Sequence, residues 1–257
     1  MFDENIIVPL LLSTFAGLST VLGAFIVFFS NINKKIVLTF SLAFSAGVMI
    51  SISLLDLFSS SYDFLTKNLG NSKGTIYSII FLLIGAIISA LISNLLSDEN
   101  IIATSKESKH LFKIGLTSML ALMLHNFPEG IATFISGYEN LGLGISVALA
   151  ITLHNIPEGI AIAMPIYYST NSKFLAFKYT FLSGISEPIG AFFAFLFIRP
   201  YINELILSII FLLVAGIMLY IALVDLLPTA KSYKSNKTFT ISLFLGIILI
   251  PLSHIFI

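Results

Sequence analysis

Residues 125–132 read HNFPEGIA and residues 154–161 read HNIPEGIA. The copies differ only at Phe127 against Ile156, and each lies inside a long apolar run. Histidine, asparagine and glutamate are costly in hydrocarbon, so inside a membrane span they mark a functional site by default. Two such sets at one internal spacing read as two halves of one device, a metal site buried in a membrane.

The rest of the chain supplies the membrane. Of its 257 residues, 57% are hydrophobic and 10% charged, whereas a soluble domain carries about 25% charged residues. The chain therefore reads as an all-α integral membrane protein. A net charge of zero gives no footing for a nucleic-acid partner, and the lack of cysteine excludes disulfides and thiolate metal sites. The opening MFDENIIVPLLL has no basic n-region and reads as the start of a first span. At about 20 apolar residues per span, eight are expected: 5–29, 36–58, 75–96, 113–136, 142–168, 174–198, 202–227 and 238–257. The longest remaining loops, 59–74 and 97–112, are short. Residues 1–257 are thus expected to form a single polytopic domain in contact with the lipid bilayer. No room is left for a nucleotide-binding domain, so no nucleotide partner is expected and an ATP-driven pump is disfavoured.

Lysine and arginine orient the spans. Loops 1–2, 3–4, 5–6 and 7–8, with adjoining span ends, hold Lys34, Lys35, Lys106, Lys109, Lys113, Lys173, Lys178, Lys231, Lys234 and Lys237; the opposite side holds Lys67, Lys73 and Arg199. Ten against three predicts the first set in the cytoplasm and both termini outside. Within this topology two further self-matches appear. AGVMISISLLDLF at 46–58 aligns with AGIMLYIALVDLL at 215–227, and FAGLSTVLGAF at 15–25 aligns with LSGISEPIGAF at 182–192. Their offsets, 169 and 167 residues, nearly agree. Spans 1–3 thus match spans 6–8 in order but run in the opposite direction, around the likewise opposed pair 4–5. Such inverted repeats are typical of secondary transporters, whose sites lie near the bilayer midplane.

Positions i and i+4 share a helix face, so His125 with Glu129 and His154 with Glu158 each form one inward-facing pair. Asn126 and Asn155 lie about 100° around, at the edge of that face. Glu187, before Pro188 in span 6, adds a third carboxylate. Pro128 and Pro157 cannot donate to the carbonyls of Leu124 and Leu153, so a kink and a freed carbonyl are expected in each helix. Imidazole with carboxylate and amide oxygen suits zinc, iron and other divalent transition metals. Without thiolate the site should release its ion, as conduction requires. Carboxylates shared between two ions would explain the surplus of ligands.

Asp56 and Asp225, related by the repeat, fall at opposite ends of their spans and suit an entrance and an exit; the alternative is two interfacial acids with no role. Met49 and Met218 read either as soft ligands or, more simply, as gate or packing residues. His110, among Lys106, Glu107 and Lys109, reads as solvated, and His254 as interfacial.

HNFPEGIATF followed by HNIPEGIAIA resembles the ZIP family of zinc–iron permeases, most closely its bacterial branch. SAGVMISISLLDL, SGISEPIGAF and AGIMLYIALVDLLPTAK extend the resemblance along most of the chain. It implies eight spans, both termini outside, and uptake of divalent metal through a binuclear centre on spans 4 and 5. One position would use His125, Glu129, His154 and Glu158, with Met49 nearby, and is associated with zinc. The other would use Asn126, Glu129, Asn155, Glu158 and Glu187, and is associated with iron. Glu129 and Glu158 would bridge, and Asp56 falls at the family's entrance. The loop before span 4 carries only His110, so a metal-capturing role for it is not expected.

The expectation is therefore an alternating-access importer of Zn2+ and Fe2+, with Mn2+ and Co2+ as further candidates, in the plasma membrane. The metals are transported substrates; no catalytic cofactor is expected, and a homodimer is the protein assembly considered. The main rival, an intramembrane zinc hydrolase, would want HExxH with glutamate as general base, but Asn126 and Asn155 stand there. An exporter of the same metals is the second rival, and direction rests on the resemblance alone.

Overall fold

A computed structural model describes residues 4–25, 33–95, 105–198 and 203–253. Arg199 and His254 lie outside these, as do residues 97–104 of loop 97–112 and the span edges 26–29 and 254–257. The described chain forms eight helical bodies: α1, Glu4–Ala24; α2, Lys34–Leu69; α3, Asn71–Leu95; α4, Lys106–Glu139; α5, Leu141–Thr170; α6, Lys173–Gly184 continuing as Ser186–Phe193 and Ala194–Ile198; α7, Glu204–Ser232; and α8, Asn236–Ser253. Seven of them are long and apolar enough to cross a membrane. The eighth, α4, has the length with 34 residues, but His125, Asn126 and Glu129 dilute its apolar run.

Side-chain caps set the helix starts by accepting the otherwise orphaned N–H groups of the first turn. Asn33, Ser105, Asn140, Ser172 and Asn203 do this for α2, α4, α5, α6 and α7. Asn140 alone separates α4 from α5. Gly70, at φ +82°, alone reverses the chain between α2 and α3.

Two helices outrun their expected spans. The polar stretch Ser59–Leu69 continues α2 rather than forming a loop, so α2 runs for 36 residues, about 54 Å at 1.5 Å per residue. α4 begins at Lys106, which moves His110 and Lys113 from a loop onto a helix. α4 and α5 also continue unbroken through Pro128 and Pro157. α6 is interrupted at Ile185.

Close backbone approaches reproduce the inverted repeat residue by residue. Gly17 and Gly184 each face the other's carbonyl. Gly23 abuts the carbonyl of Ile156, and its mate Gly190 abuts that of Phe127. Gly159 lies against the carbonyl of Thr20, and Gly130 against that of Glu187. Gly47 meets the carbonyl of Leu243, and Gly216 that of Leu82, which adds the α3/α8 pair that the sequence matches did not reach. Small residues let helix backbones approach closely in lipid, where packing rather than water exclusion drives association. The winding repeats too: wide π-helical turns occupy Ile52–Phe58 in α2 and Ile221–Leu226 in α7, around Asp56 and Asp225.

The repeat units interlock rather than standing apart. α1, α4, α5 and α6 pack into one four-helix bundle, and α2, α3, α7 and α8 into another, so each bundle takes helices from both units. The main apolar core, with Leu38, Leu42, Met49, Leu122, Ile162 and Met218, lies where the bundles meet. α3 and α8 are outermost, with most of their apolar side chains exposed to lipid.

One end gathers the four lysine-bearing connections. The Lys34 ammonium donates to Glu107 Oε1 at 3.1 Å and lies 5.7 Å from the Tyr168 ring centre, while the Tyr233 hydroxyl donates to the same Glu107 oxygen at 3.3 Å. The hydrogen bond from Lys34 holds the Glu107 carboxyl below the usual range. Residues next to loops 1–2, 3–4, 5–6 and 7–8 therefore share one face, as the lysine distribution implied.

Candidate metal centre

α4 and α5 lie side by side, and their matched turns bring the two HNxPEG sets together. His125 Nε2 lies 3.2 Å from Glu129 Oε1 and 3.4 Å from Glu158 Oε1. His154 Nε2 is hydrogen-bonded to the same Glu129 oxygen at 2.9 Å. The imidazole centres are 6.3 Å apart. One ligand atom from each of His125, Glu129 and His154 falls within 4.8 Å of the others. Tetrahedral ligand atoms at the ~2.0–2.2 Å of Zn–N and Zn–O bonds lie about 3.4 Å apart, so the pairs at 2.9, 3.2 and 3.4 Å are already at or inside the spacing of one ion's ligands.

All seven expected ligands are buried, with Glu158, Glu187, Asn126 and Asn155 at 0% exposure. A buried carboxylate needs a compensating charge. Yet among the described residues no lysine or arginine forms an ion pair with Glu129, Glu158 or Glu187. Many of their polar atoms also lack a hydrogen-bond partner: both oxygens of Glu158, Glu129 Oε2, Glu187 Oε1, His125 Nδ1 and the Oδ1 atoms of Asn126 and Asn155. Three carboxylates, two imidazoles and two amide oxygens so arranged are chemically suited to divalent cations.

The asparagines are aimed by the repeat. Asn126 Nδ2 donates to the Ser183 carbonyl at 3.4 Å, and Asn155 Nδ2 to the Ala16 carbonyl at 2.9 Å. Ala16 and Ser183 are themselves repeat mates, 167 residues apart. With each NH2 group tethered, the two amide oxygens remain available as ligands. Asn155 also donates to Glu187 Oε2 at 2.9 Å. Glu187 reaches the site because the break at Ile185 makes it part of the first turn of a half-helix, where the dipole favours a carboxylate.

Sequence reasoning missed the residue opposite Glu187. Thr20 occupies the repeat-related position on α1, fully buried and with an unpartnered hydroxyl. The signal was present in the aligned FAGLSTVLGAF and LSGISEPIGAF. One side of the pseudo-twofold site thus carries a carboxylate and the other a hydroxyl.

The remaining candidates separate by position. Ser45 Oγ donates to the Pro157 carbonyl at 2.6 Å, which sets α2 against the HNIPEG turn. Met49, one turn further on the same face of α2, is fully buried in the inter-bundle core, as is Met218. Asp56 and Asp225 are half-buried within their π-wound stretches, away from the ligand cluster. Asp225 lines a cavity of about 150 Å3 with Ser93, His110, Lys113, Ile114 and Thr117. His110 is exposed, but its ring also contacts Thr229 Oγ1 at 3.3 Å and helps wall that cavity.

An inverted repeat of membrane-crossing helices around a buried cluster of His, Asn and Glu defines a polytopic membrane transporter rather than an enzyme. Comparison with known proteins makes this specific. Residues 100–252 match the model of the ZIP zinc transporter family. The chain is 43% identical over 242 residues to the zinc transporter ZupT of Oceanobacillus iheyensis, covering 90% of each protein. It is 37% identical to that of Streptococcus mutans over 98% of each, and 40% identical to that of Campylobacter jejuni over 97% of this chain and 96% of the relative. The chain belongs to the ZIP zinc transporter family.

Proposed function

We propose that the chain imports divalent metal, mainly zinc and also iron, across the plasma membrane into the cytoplasm. The observation that carries this reading is the cluster of three buried carboxylates and two imidazoles, with no lysine or arginine among the described residues paired to it. Two positions share the cluster. His125, Glu129, His154 and Glu158 hold the first, with Met49 beside it. Asn126, Asn155 and Glu187 complete the second, again with Glu129 and Glu158. Glu129 suits a bridging role because one of its oxygens already meets both imidazoles.

The lysine-rich end faces the cytoplasm and both termini face outward. Metal enters past Asp56, is held at midplane, and leaves past Asp225. Because the repeat units interlock, the bundle of α1, α4, α5 and α6 moves against that of α2, α3, α7 and α8, not one repeat unit against the other. Met218 and the Ser45–Met49 face of α2 lie along the moving interface. The ligands must be deprotonated to bind metal, so uptake weakens in acid. The chain works as one domain, and a homodimer belongs to the same reading. The hydrolase alternative is disfavoured, because Asn126 and Asn155 stand where a general base is needed and their NH2 groups are committed to backbone carbonyls.

Zinc and iron flux into proteoliposomes, with pH varied on each side, tests the reading. Inward flux of both metals is expected, and Glu187→Ala should reduce iron flux more than zinc. Equal loss of both metals would reject the two-position assignment, and the absence of flux would reject the transport reading.

A further inference from the structure

The Asp225 cavity holds a feature the transport reading does not use. Asp225 Oδ2 is buried without a hydrogen-bond partner, and the cavity also takes in Lys113 from α4. Lys113 is half-buried, and among the described residues it has no ion pair within 4 Å. His110 and Lys113 also line a wider cavity of about 450 Å3, with Lys106, Glu107 and Lys109, at the lysine-rich end. The Asp225 cavity therefore adjoins that end, with an acid inside it and an ammonium on its wall.

An ion leaving three glutamates meets a carboxylate and an imidazole that would hold it again. Conduction requires that such binding be weak enough to leave, and a departing ion would strand a half-buried, uncompensated carboxylate. An ammonium tethered to the same cavity meets both demands, because it replaces the divalent cation at the carboxylate as the ion departs.

The repeat supplies the comparison. Asp225 has Asp56 as its mate, but the residue 29 positions on from Lys113, by the offset that joins the two histidines, is Gly142. Gly142 is exposed and has no side chain. Lys113 thus has no counterpart at the repeat-related position.

We propose that Lys113 is a tethered counter-cation that displaces divalent metal from Asp225. This rests on the reading of the chain as a divalent-metal carrier.

The test uses full-length protein in vesicles with an internal zinc indicator, together with zinc release from solubilised protein into a chelator. Lys113→Met should lower the maximal zinc uptake rate threefold or more and slow release by a similar factor. Lys113→Arg, which keeps the charge, should stay within about twofold of the unsubstituted protein, separating lost charge from lost folding. In an Asp225→Asn background, Lys113→Met should have no further effect, because the carboxylate to be emptied is gone. Wild-type rates in Lys113→Met, or an equal loss with and without Asp225, would overturn the proposal. If the unsubstituted protein moves no zinc, the transport reading fails, while the release measurement still decides the role of Lys113.

Discussion

Glu158→Gln is the sharpest probe of the metal centre, because it removes a charge and almost no volume. Glu158 is fully buried, neither of its oxygens has a hydrogen-bond partner, and His125 Nε2 lies 3.4 Å from its Oε1. That buried, unpartnered charge is a cost to the apo protein, so its removal should not lower apo stability. The loaded protein should lose stability. Two unit charges about 4 Å apart interact by about 4 kcal/mol at an effective dielectric of 20, and a divalent ion doubles this. The glutamine oxygen still coordinates, so about half is lost, roughly 4 kcal/mol or a thousandfold in affinity. The assay is the zinc-dependent shift in thermal unfolding of detergent-purified protein. At a zinc concentration of about 100 times the dissociation constant, binding stabilises the native state by about 2.7 kcal/mol. After a thousandfold loss the same concentration stabilises it by less than about 0.1 kcal/mol, so the shift disappears. A shift that survives at that concentration, with the apo melt not lowered, would refute the placement of Glu158 in the metal site.

Glu129→Ala and His154→Ala should each abolish the radiolabelled zinc entry produced by expressing the protein in a host without other zinc uptake, at normal membrane levels; uptake that persists in both would remove the site. Gly159→Ala drives a methyl group into the Thr20 carbonyl, and overpacking of this kind costs about 1–3 kcal/mol or more; a lower yield of monodisperse protein and an earlier melt are expected, and an unchanged melt would contradict the packing. Gly130→Ala, against the Glu187 carbonyl, should behave alike and also displace a proposed ligand, so zinc binding should weaken as well. The lowered Glu107 pKa implies stability that is present above the ordinary carboxylate value and lost as pH falls through the lowered one. Lys34→Met should remove that acid-side dependence, an effect under about 1 kcal/mol for an exposed pair, read as melting temperature between neutral and acid pH.

Membrane character, helix number and the inverted repeat were legible because each is a local or periodic property. Twenty apolar residues per span, lysines on alternate loops and matched motifs need no knowledge of packing. The pairing of the candidate ligands was legible for the same reason: His125 and Glu129 meet through helix geometry alone. Helix ends were less so. Ser59–Leu69 lacks an apolar run yet remains helical, because nothing breaks the backbone until Gly70. Lys106–Phe112 precedes the apolar run and is helical because Ser105 caps it.

By itself, then, the sequence determined the membrane class, the opposed halves and the side chains of the candidate metal centre, since these follow from composition and from spacing along single helices. Only the tertiary structure decided which atoms share the site. That Glu129 meets both imidazoles, that Ala16 and Ser183 tether the asparagines, that Thr20 lies opposite Glu187, and that Lys113 and His110 wall the Asp225 cavity are all contacts between different helices. They depend on the glycines that let those helices approach and on the interlocking of the repeat units into two mixed bundles, and no pattern within one segment carries that information.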